Sequence, residues 1–279
     1  MKGCPMRCIW CHNPEGISPH FQIMWIESKC KGCGECVVNC PNQAIVATDK
    51  GLLTDTKKCK VCGQCVGVCL QNAREISGRD ITVKEAIDIV KRDQIFYNKS
   101  GGGVTVSGGE ACLQWEFTRD FFKSCTDLGI HTALDTCGFI RTENLERVLD
   151  FTALVLYDFK LADKDLHRKY TGVDLDVVMD NAKHISQLKV PMWLRIPIIP
   201  GYTDSPENIR GLAVIIKELD AVERIDLLPY HRLGESKYKG LGMKYPLEEG
   251  LSSPSKAKME ELLEIITDLV SPSITVTCN

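Results

Sequence analysis

From Ile81 onward the order of apolar and polar residues alternates between a helical period and a strand period. Thr82 and Glu85 stand at capping-box spacing, and Val83, Ala86, Ile87 and Val90 then share one helical face. Residues 104–106 are a short β-branched run. The stretch 117–128 reads as a helix, 131–135 as extended, 143–149 as a helix and 153–159 as an apolar strand. A helix over 175–188 and a strand over 192–199 follow. Ser205 and Pro206 read as N-cap and first residue of a helix with Ile209, Leu212, Ala213 and Ile216 on one side. Residues 224–229 form a strand, Pro254 starts a last helix with Met259, Leu262, Leu263 and Ile266 inward, and 274–277 offers a final strand. Repeated strand–helix units imply an α/β fold on a parallel sheet, either doubly wound or a barrel. Up to residue 80 neither period holds, and cysteine sets the spacing.

The chain has 279 residues, 44% of them hydrophobic, enough for one large core with a small satellite. Of its 15 cysteines, eleven fall in three ordered groups before residue 70, a distribution that favours metal ligation over disulfides. The first group, in KGCPMRCIWCHN over 2–13, is Cys4-x3-Cys8-x2-Cys11. Three thiolates in one tight loop suit an iron–sulfur cluster with one open iron, or a zinc knuckle completed by His12 or a distant cysteine. The second and third groups are Cys30-x2-Cys33-x2-Cys36-x3-Cys40 and Cys59-x2-Cys62-x2-Cys65-x3-Cys69. Each matches the bacterial ferredoxin run, whose fourth cysteine serves the other cluster, better than a zinc ribbon. One 4Fe–4S cluster is therefore expected on Cys30, Cys33, Cys36 and Cys69, and another on Cys59, Cys62, Cys65 and Cys40. The net charge is −3 and no basic run stands out, so nucleic acid is not an expected partner. No stretch of about 18 apolar residues and no signal-peptide pattern occurs, so no membrane partner is expected and a cytoplasmic location is.

Polar residues recur where each strand runs out. Ser107-Gly108-Gly109-Glu110 follows the first strand, and Asp135-Thr136-Cys137-Gly138 ends the second. Asp158-Phe159-Lys160 ends the third, Arg195-Ile196-Pro197 lies in the fourth and Pro229-Tyr230-His231 closes the fifth. In a βα barrel the C-terminal strand ends build the active site, so these motifs converge on one rim. Taken singly, each is as well read as a turn, a cap or a salt-bridge partner. Cys112, Cys125, Cys137 and Cys278 read as ordinary buried thiols.

The segments GCPMRCIWCHNPEG, the double ferredoxin run, SGGEA, LDTCG, YDFK, RIPIIPG and LPYHRLG together resemble the glycyl-radical enzyme activating enzymes. These are radical S-adenosylmethionine (SAM) proteins related to pyruvate formate-lyase activating enzyme, in a subgroup carrying two ferredoxin-type clusters. The resemblance implies a partial (β/α)6 TIM-like barrel. Its cluster loop would lie in 1–29, a ferredoxin-like insert in 30–78 and the rest of the barrel in 79–279. It also implies three 4Fe–4S clusters, the one on Cys4, Cys8 and Cys11 binding SAM. By the same resemblance Gly108, Gly109, Glu110 and Asp135 would receive the SAM ammonium, and Lys160 and His231 its carboxylate. Asp158, with neighbouring Phe159, would lie by the ribose, with a monovalent cation near Asp135 and Asp158. Trp10 and His12 would stand beside the adenine, and Arg195 beside the substrate backbone.

The implied partners are a glycyl-radical enzyme, whose glycine is the substrate, and a flavodoxin or ferredoxin as electron donor; the implied state is a monomer. An electron-transfer protein, or a radical SAM enzyme acting on another peptide or small molecule, is the alternative. In the family a strand precedes the cluster loop, and here Met1 stands just before Gly3. The first strand is therefore expected to be missing, with an open sheet edge and a loosely held segment at 2–4.

Overall fold

The computed structural model describes residues 1–49 and 51–278. Its cysteine-rich part is a duplicated unit. Strand β1 (Gln22–Trp25) leads through Cys30, Cys33 and the one-turn helix α1 (Glu35–Val38) to strand β2 (Ile45–Thr48). Strand β3 (Gly51–Thr54) returns antiparallel to β2. The second half repeats the path through Cys59, Cys62 and α2 (Gln64–Gly67) to β4 (Arg74–Ser77), which pairs antiparallel with β1. Backbone angles repeat too. Gly32 and Val61 have φ of 71° and 53°, and Gly34 and Gly63 have 79° and 78°. The amides of Ala44 and Ala73 point at Cys40 Sγ and Cys69 Sγ at 3.3 and 3.2 Å. Among the described residues the buried cluster of this unit is small, Ile23, Cys36, Ile45 and Cys65, with half-buried Leu52, Val61 and Val66 against it. Burying such side chains is worth about 1.5–3 kcal/mol each. Ordering several dozen residues costs about 1–2 kcal/mol apiece, so the unit needs cross-links through its cysteines.

The barrel part follows. Helices α3 (Val83–Val90) and α4 (Gln94–Ser100) precede β5 (Gly103–Val106), α5 (Trp115–Asp127), β6 (His131–Thr136), α6 (Thr142–Leu149) and β7 (Leu154–Asp158). Then come α7 (Lys164–Thr171), α8 (Leu175–Gln187), β8 (Met192–Ile198), α9 (Pro206–Ile216) and β9 (Val222–Pro229). Helices α10 (Glu235–Gly240) and α11 (Lys256–Leu269) and strand β10 (Thr275–Cys278) complete it. The six strands β5 to β10 lie in strictly sequential order and are all parallel. A doubly wound sheet reverses order at a switch point, so the sequential order selects the barrel-like alternative. The edges β5 and β10 are not paired with each other, leaving the barrel partial.

Period-two alternation sets what each face carries. In β8, Met192, Leu194, Ile196 and Ile198 are fully buried toward the helices, while Trp193, Arg195 and Pro197 face the other way. Register sets Asp158 directly opposite Arg195, and Asp135 opposite Leu156. Three charged side chains thus share one face by strand geometry alone.

The Thr82–Glu85 capping box forms, and Ser205 caps α9 by accepting from the Asn208 amide. The last helix starts at Lys256, two residues later than the expected Pro254, because the Ser255 hydroxyl caps it by receiving the Lys258 amide at 3.1 Å. Cys278 is exposed, a correction to its reading as a buried thiol. Among the described residues β5 is the sheet edge and no strand precedes Gly3 in that sheet. The segment at 2–4 is nevertheless tied down. Gly3 N–H donates to Gly16 O at 2.8 Å and Cys4 N–H to Ile17 O at 3.1 Å. No described helix is long and apolar enough to cross a membrane.

Candidate active site

The C-terminal ends of β5 to β9 and the loop bearing Cys4, Cys8 and Cys11 enclose a cavity of about 450 Å³. The loop is seated by its backbone: Arg7 N–H donates to Thr171 O at 2.7 Å and Ile9 N–H to Tyr170 O at 3.1 Å. Met6 plugs into the main core, while Trp10 packs with Leu161, Ile199, Tyr230 and Leu247. Anchored this way, the loop places Cys4, Cys8 and Cys11 in the cavity wall.

Gly108 and Gly109 end β5 against that loop. The Gly109 amide donates to Met1 O at 2.8 Å, and the Glu110 amide to Gly3 O at 2.6 Å. A Cβ on Gly109 would lie 2.1 Å from Gly3 O, and Gly108 holds a φ of 124° that disfavours any side chain. The glycine pair is therefore required by the approach of two backbones.

The opposite wall is charged. Arg195 bonds both Asp135 and Asp158, the latter through Nε at 2.8 Å, and Lys160 Nζ meets Asp158 Oδ2 at 3.0 Å. Ser107 Oγ donates to Asp135 Oδ2 at 2.6 Å. Burial alone would lower the Lys160 ammonium, but Asp158 and the thiols of Cys8 and Cys137 outweigh it and hold the pKa above its ordinary value. Burial would likewise raise Asp158, and the Lys160 and Arg195 cations hold it down instead. Lys160 is thus a fixed cation in the cavity wall. His12 stacks on His231 with centroids 4.1 Å apart and lies 6.0 Å from the Tyr230 ring, so the third side is aromatic.

Twelve of the expected residues therefore meet here: Cys4, Cys8, Trp10, Cys11, His12, Gly108, Gly109, Asp135, Asp158, Lys160, Arg195 and His231. Glu110 and Phe159 do not line the cavity. The Glu110 carboxylate is fully buried and receives the amides of Cys112 and Cys137 and the Thr136 hydroxyl at 3.1, 2.8 and 2.9 Å. It clamps β5 to β6 from below. Phe159 is buried beside Tyr157, at a centroid distance of 5.3 Å. Asp135 and Asp158, expected beside a monovalent cation, both bond Arg195. Cys137 and Ser107, which belonged to the expected rim motifs without a role of their own, also line the wall. Cys137 reads correctly as buried, but its thiol hydrogen-bonds Cys4, whose own pKa falls to about 7 as a result.

The residues fit the groups expected of them. Burial pushes the Cys8 thiol up to about 12, so a ligated metal must displace its proton. Among the described residues no three His, Cys, Asp or Glu side chains converge on a point for a single metal ion. Cluster cysteines instead stand around a larger body, each on its own iron. In the insert, Cys30, Cys33, Cys36 and Cys69 line one hollow, and Cys40, Cys59, Cys62 and Cys65 another.

Residues 1–213 match the family described as Radical SAM superfamily. The chain is 43% identical over 264 residues to the trans-4-hydroxy-L-proline dehydratase activating enzyme of Clostridioides difficile, covering 94% of this chain and 87% of that protein. The chain belongs to the radical SAM superfamily, among the activating enzymes of glycyl-radical enzymes. Another such relative, pyruvate formate-lyase 1-activating enzyme of Escherichia coli, is 38% identical over 68% of this chain and 77% of its own. A solved domain of pyruvate-formate lyase-activating enzyme from Bacteroides vulgatus superposes with a TM-score of 0.53 at 30% identity. The match covers 64% of this chain and 99% of that domain.

Proposed function

We propose that this radical SAM protein activates a partner glycyl-radical enzyme by abstracting hydrogen from a glycine Cα. The reading rests on one observation: the Cys4–Cys8–Cys11 loop and the Lys160–Asp158–Arg195–Asp135 network face the same cavity. When bound, a 4Fe–4S cluster and SAM supply reductive cleavage to methionine and a 5′-deoxyadenosyl radical. Cys4, Cys8 and Cys11 would hold the cluster through their thiolates. Lys160 would present a permanent cation to the SAM carboxylate with His231 beside it, Asp135 and the backbone at Gly108 would accept from its ammonium, and His12 and Trp10 would flank the adenine. Arg195 keeps the acid pair ionised and orders it. The mouth of the cavity admits the glycine-bearing loop of the partner, and the wall excludes water and other hydrogen donors.

The test uses anaerobically reconstituted protein with dithionite and SAM. We expect 5′-deoxyadenosine, and with a cognate partner deuterated at its glycine, deuterium in that product and a glycyl doublet by electron paramagnetic resonance. Trans-4-hydroxy-L-proline dehydratase is the first partner to try. Absence of deoxyadenosine would leave only the electron-carrier alternative, and deoxyadenosine without a glycyl radical on any partner would favour another substrate.

Lys160→Ala should weaken SAM binding more than cluster assembly, since Lys160 is no iron ligand. Losing one charge-assisted hydrogen bond costs about 1.5–3 kcal/mol, roughly ten- to a hundredfold in affinity. Equilibrium binding with unchanged affinity returns Lys160 to a purely structural ion pair.

We further propose two 4Fe–4S clusters in the insert, on the two cysteine sets named above, with its boundary drawn at β1 because β1 pairs with β4. The protein acts as a monomer, and the insert passes electrons from an external donor. Cys33→Ser should spare single-turnover SAM cleavage with dithionite and slow turnover driven by a ferredoxin or flavodoxin. Equal donor-driven rates would remove the relay.

A further inference from the structure

The insert repeats one frame twice, but its two ends face different surroundings. At the Cys30 end, the turn over Glu27–Lys29 sits against the barrel: Glu27 is paired with Lys239 at 2.7 Å. A Cβ on Gly240 would lie 2.4 Å from Trp25 O, so β1 packs on the barrel there; Cys33 is exposed on this side too, but its exposed Lys29 and Lys31 are interspersed with the acids Glu27 and Glu35. Around Cys59, Lys57, Lys58 and Lys60 are all exposed, and none of the three makes an ion pair among the described residues. The nearest acid in sequence, Asp55, turns its carboxylate to the Lys57 amide at 2.9 Å. Cys62 is itself exposed, and Lys60 lines the same hollow as Cys40, Cys59, Cys62 and Cys65. An exposed ligand edge framed by unpaired cations stands on a chain whose net charge is −3.

We propose that the Lys57–Lys58–Lys60 face is the docking surface for a small acidic one-electron carrier protein, which delivers its electron at the Cys62 edge. This rests on the activase reading and specifies where its electron enters. Electron transfer needs close approach of the redox centres, and Cys62 brings its hollow to the surface. Three like charges without partners cost free energy in the free protein and are satisfied by an acidic face. Attraction of this kind raises encounter rates about 10- to 1,000-fold and fades as salt shortens the Debye length. The step is balanced: the carrier loses one electron, the cluster gains it, and no bond or proton moves. A membrane or nucleic acid is a poorer occupant, because the patch is only three lysines wide.

The experiment uses holoenzyme and a reduced two-cluster bacterial ferredoxin of net negative charge. Bleaching of the cluster absorbance is followed by stopped flow across ionic strength. The Lys57→Glu/Lys58→Glu/Lys60→Glu protein should be reduced at least about tenfold more slowly at low salt, with the gap closing at high salt. Reduction by the methyl viologen radical cation should change in the opposite direction. Dithionite-driven deoxyadenosine and iron content should match the parent. If reversal costs iron, the three-Gln variant is read in the same way, and equal ferredoxin rates in a loaded variant overturn the proposal. Because reduction is read from absorbance without SAM, its failure is separable from that of the activase reading, which fails instead if the parent makes no deoxyadenosine with dithionite.

Discussion

A Cys8→Ala protein, reconstituted anaerobically, is expected to lose 5′-deoxyadenosine formation to background while keeping iron in the insert. Cys8 sits between Cys4 and Cys11 on a loop fixed at Arg7 and Ile9 by hydrogen bonds to Thr171 O and Tyr170 O. Neither neighbour can slide to replace it. The surrounding cysteines offer no ready substitute: Cys137 lines the same wall but is nine-tenths buried and engaged with Cys4, and Cys112 lies in the core. With two thiolates the loop cannot hold three irons, so the open iron loses its place. The cysteine-rich unit should keep its iron because its eight cysteines line two hollows of their own. Iron quantitation, electron paramagnetic resonance and product analysis on one preparation separate the two sites. Full deoxyadenosine formation by Cys8→Ala would remove the ligand assignment and with it the proposed function.

Much of this was legible because the sequence repeats its own rules. Strand β8 reads from Met192, Leu194, Ile196 and Ile198, and the same alternation turns Arg195 into the cavity. Applied to β7, it also explains Phe159: if Asp158 faces inward, residues 157 and 159 face out, and both are fully buried there. Naming Phe159 as a cavity residue ignored that parity. Glu110 misleads for another reason. It adjoins the glycine pair in sequence, but the turn at Gly108 sends its carboxylate under the sheet end toward Thr136 and Cys137. Only the three-dimensional turn distinguishes wall from foundation.

Helix α7 was illegible to hydrophobic periodicity. Its sequence KDLHRKYT has only Leu166 and Tyr170 as apolar residues, and it is held by the Asp163 cap and by His167 Nδ1 at 2.9 Å from Val173 O. Its buried side is polar, His167 and Thr171, so a search for apolar residues passes it by. The ferredoxin runs and the crossed grouping of Cys69 with Cys30 and of Cys40 with Cys59 were both readable from cysteine spacing; what the spacing did not show is the β1–β4 pairing that brings the two halves together.

Gly109→Ala should be highly damaging to the site without touching a cysteine. The added methyl would meet Gly3 O at 2.1 Å and Gly16 O at 2.5 Å. Both are backbone oxygens, so no rotamer relieves the clash and one of the two chains must move. Movement breaks the Gly109–Met1 and Glu110–Gly3 hydrogen bonds, which fix the N-terminal segment just ahead of Cys4. Overpacking of this kind costs about 1–3 kcal/mol, and each 1.4 kcal/mol taken from binding is about tenfold in affinity. We expect SAM affinity to fall roughly ten- to a hundredfold with insert iron unchanged. Gly102→Ala is the control: its nearest contact is the movable Ser100 hydroxyl at 2.9 Å, and its φ is not in the left-handed region. Calorimetric SAM titration of the two variants decides the matter. Equal affinities would mean that the loop and the β5 end are not coupled, and that the glycine pair serves only as a turn.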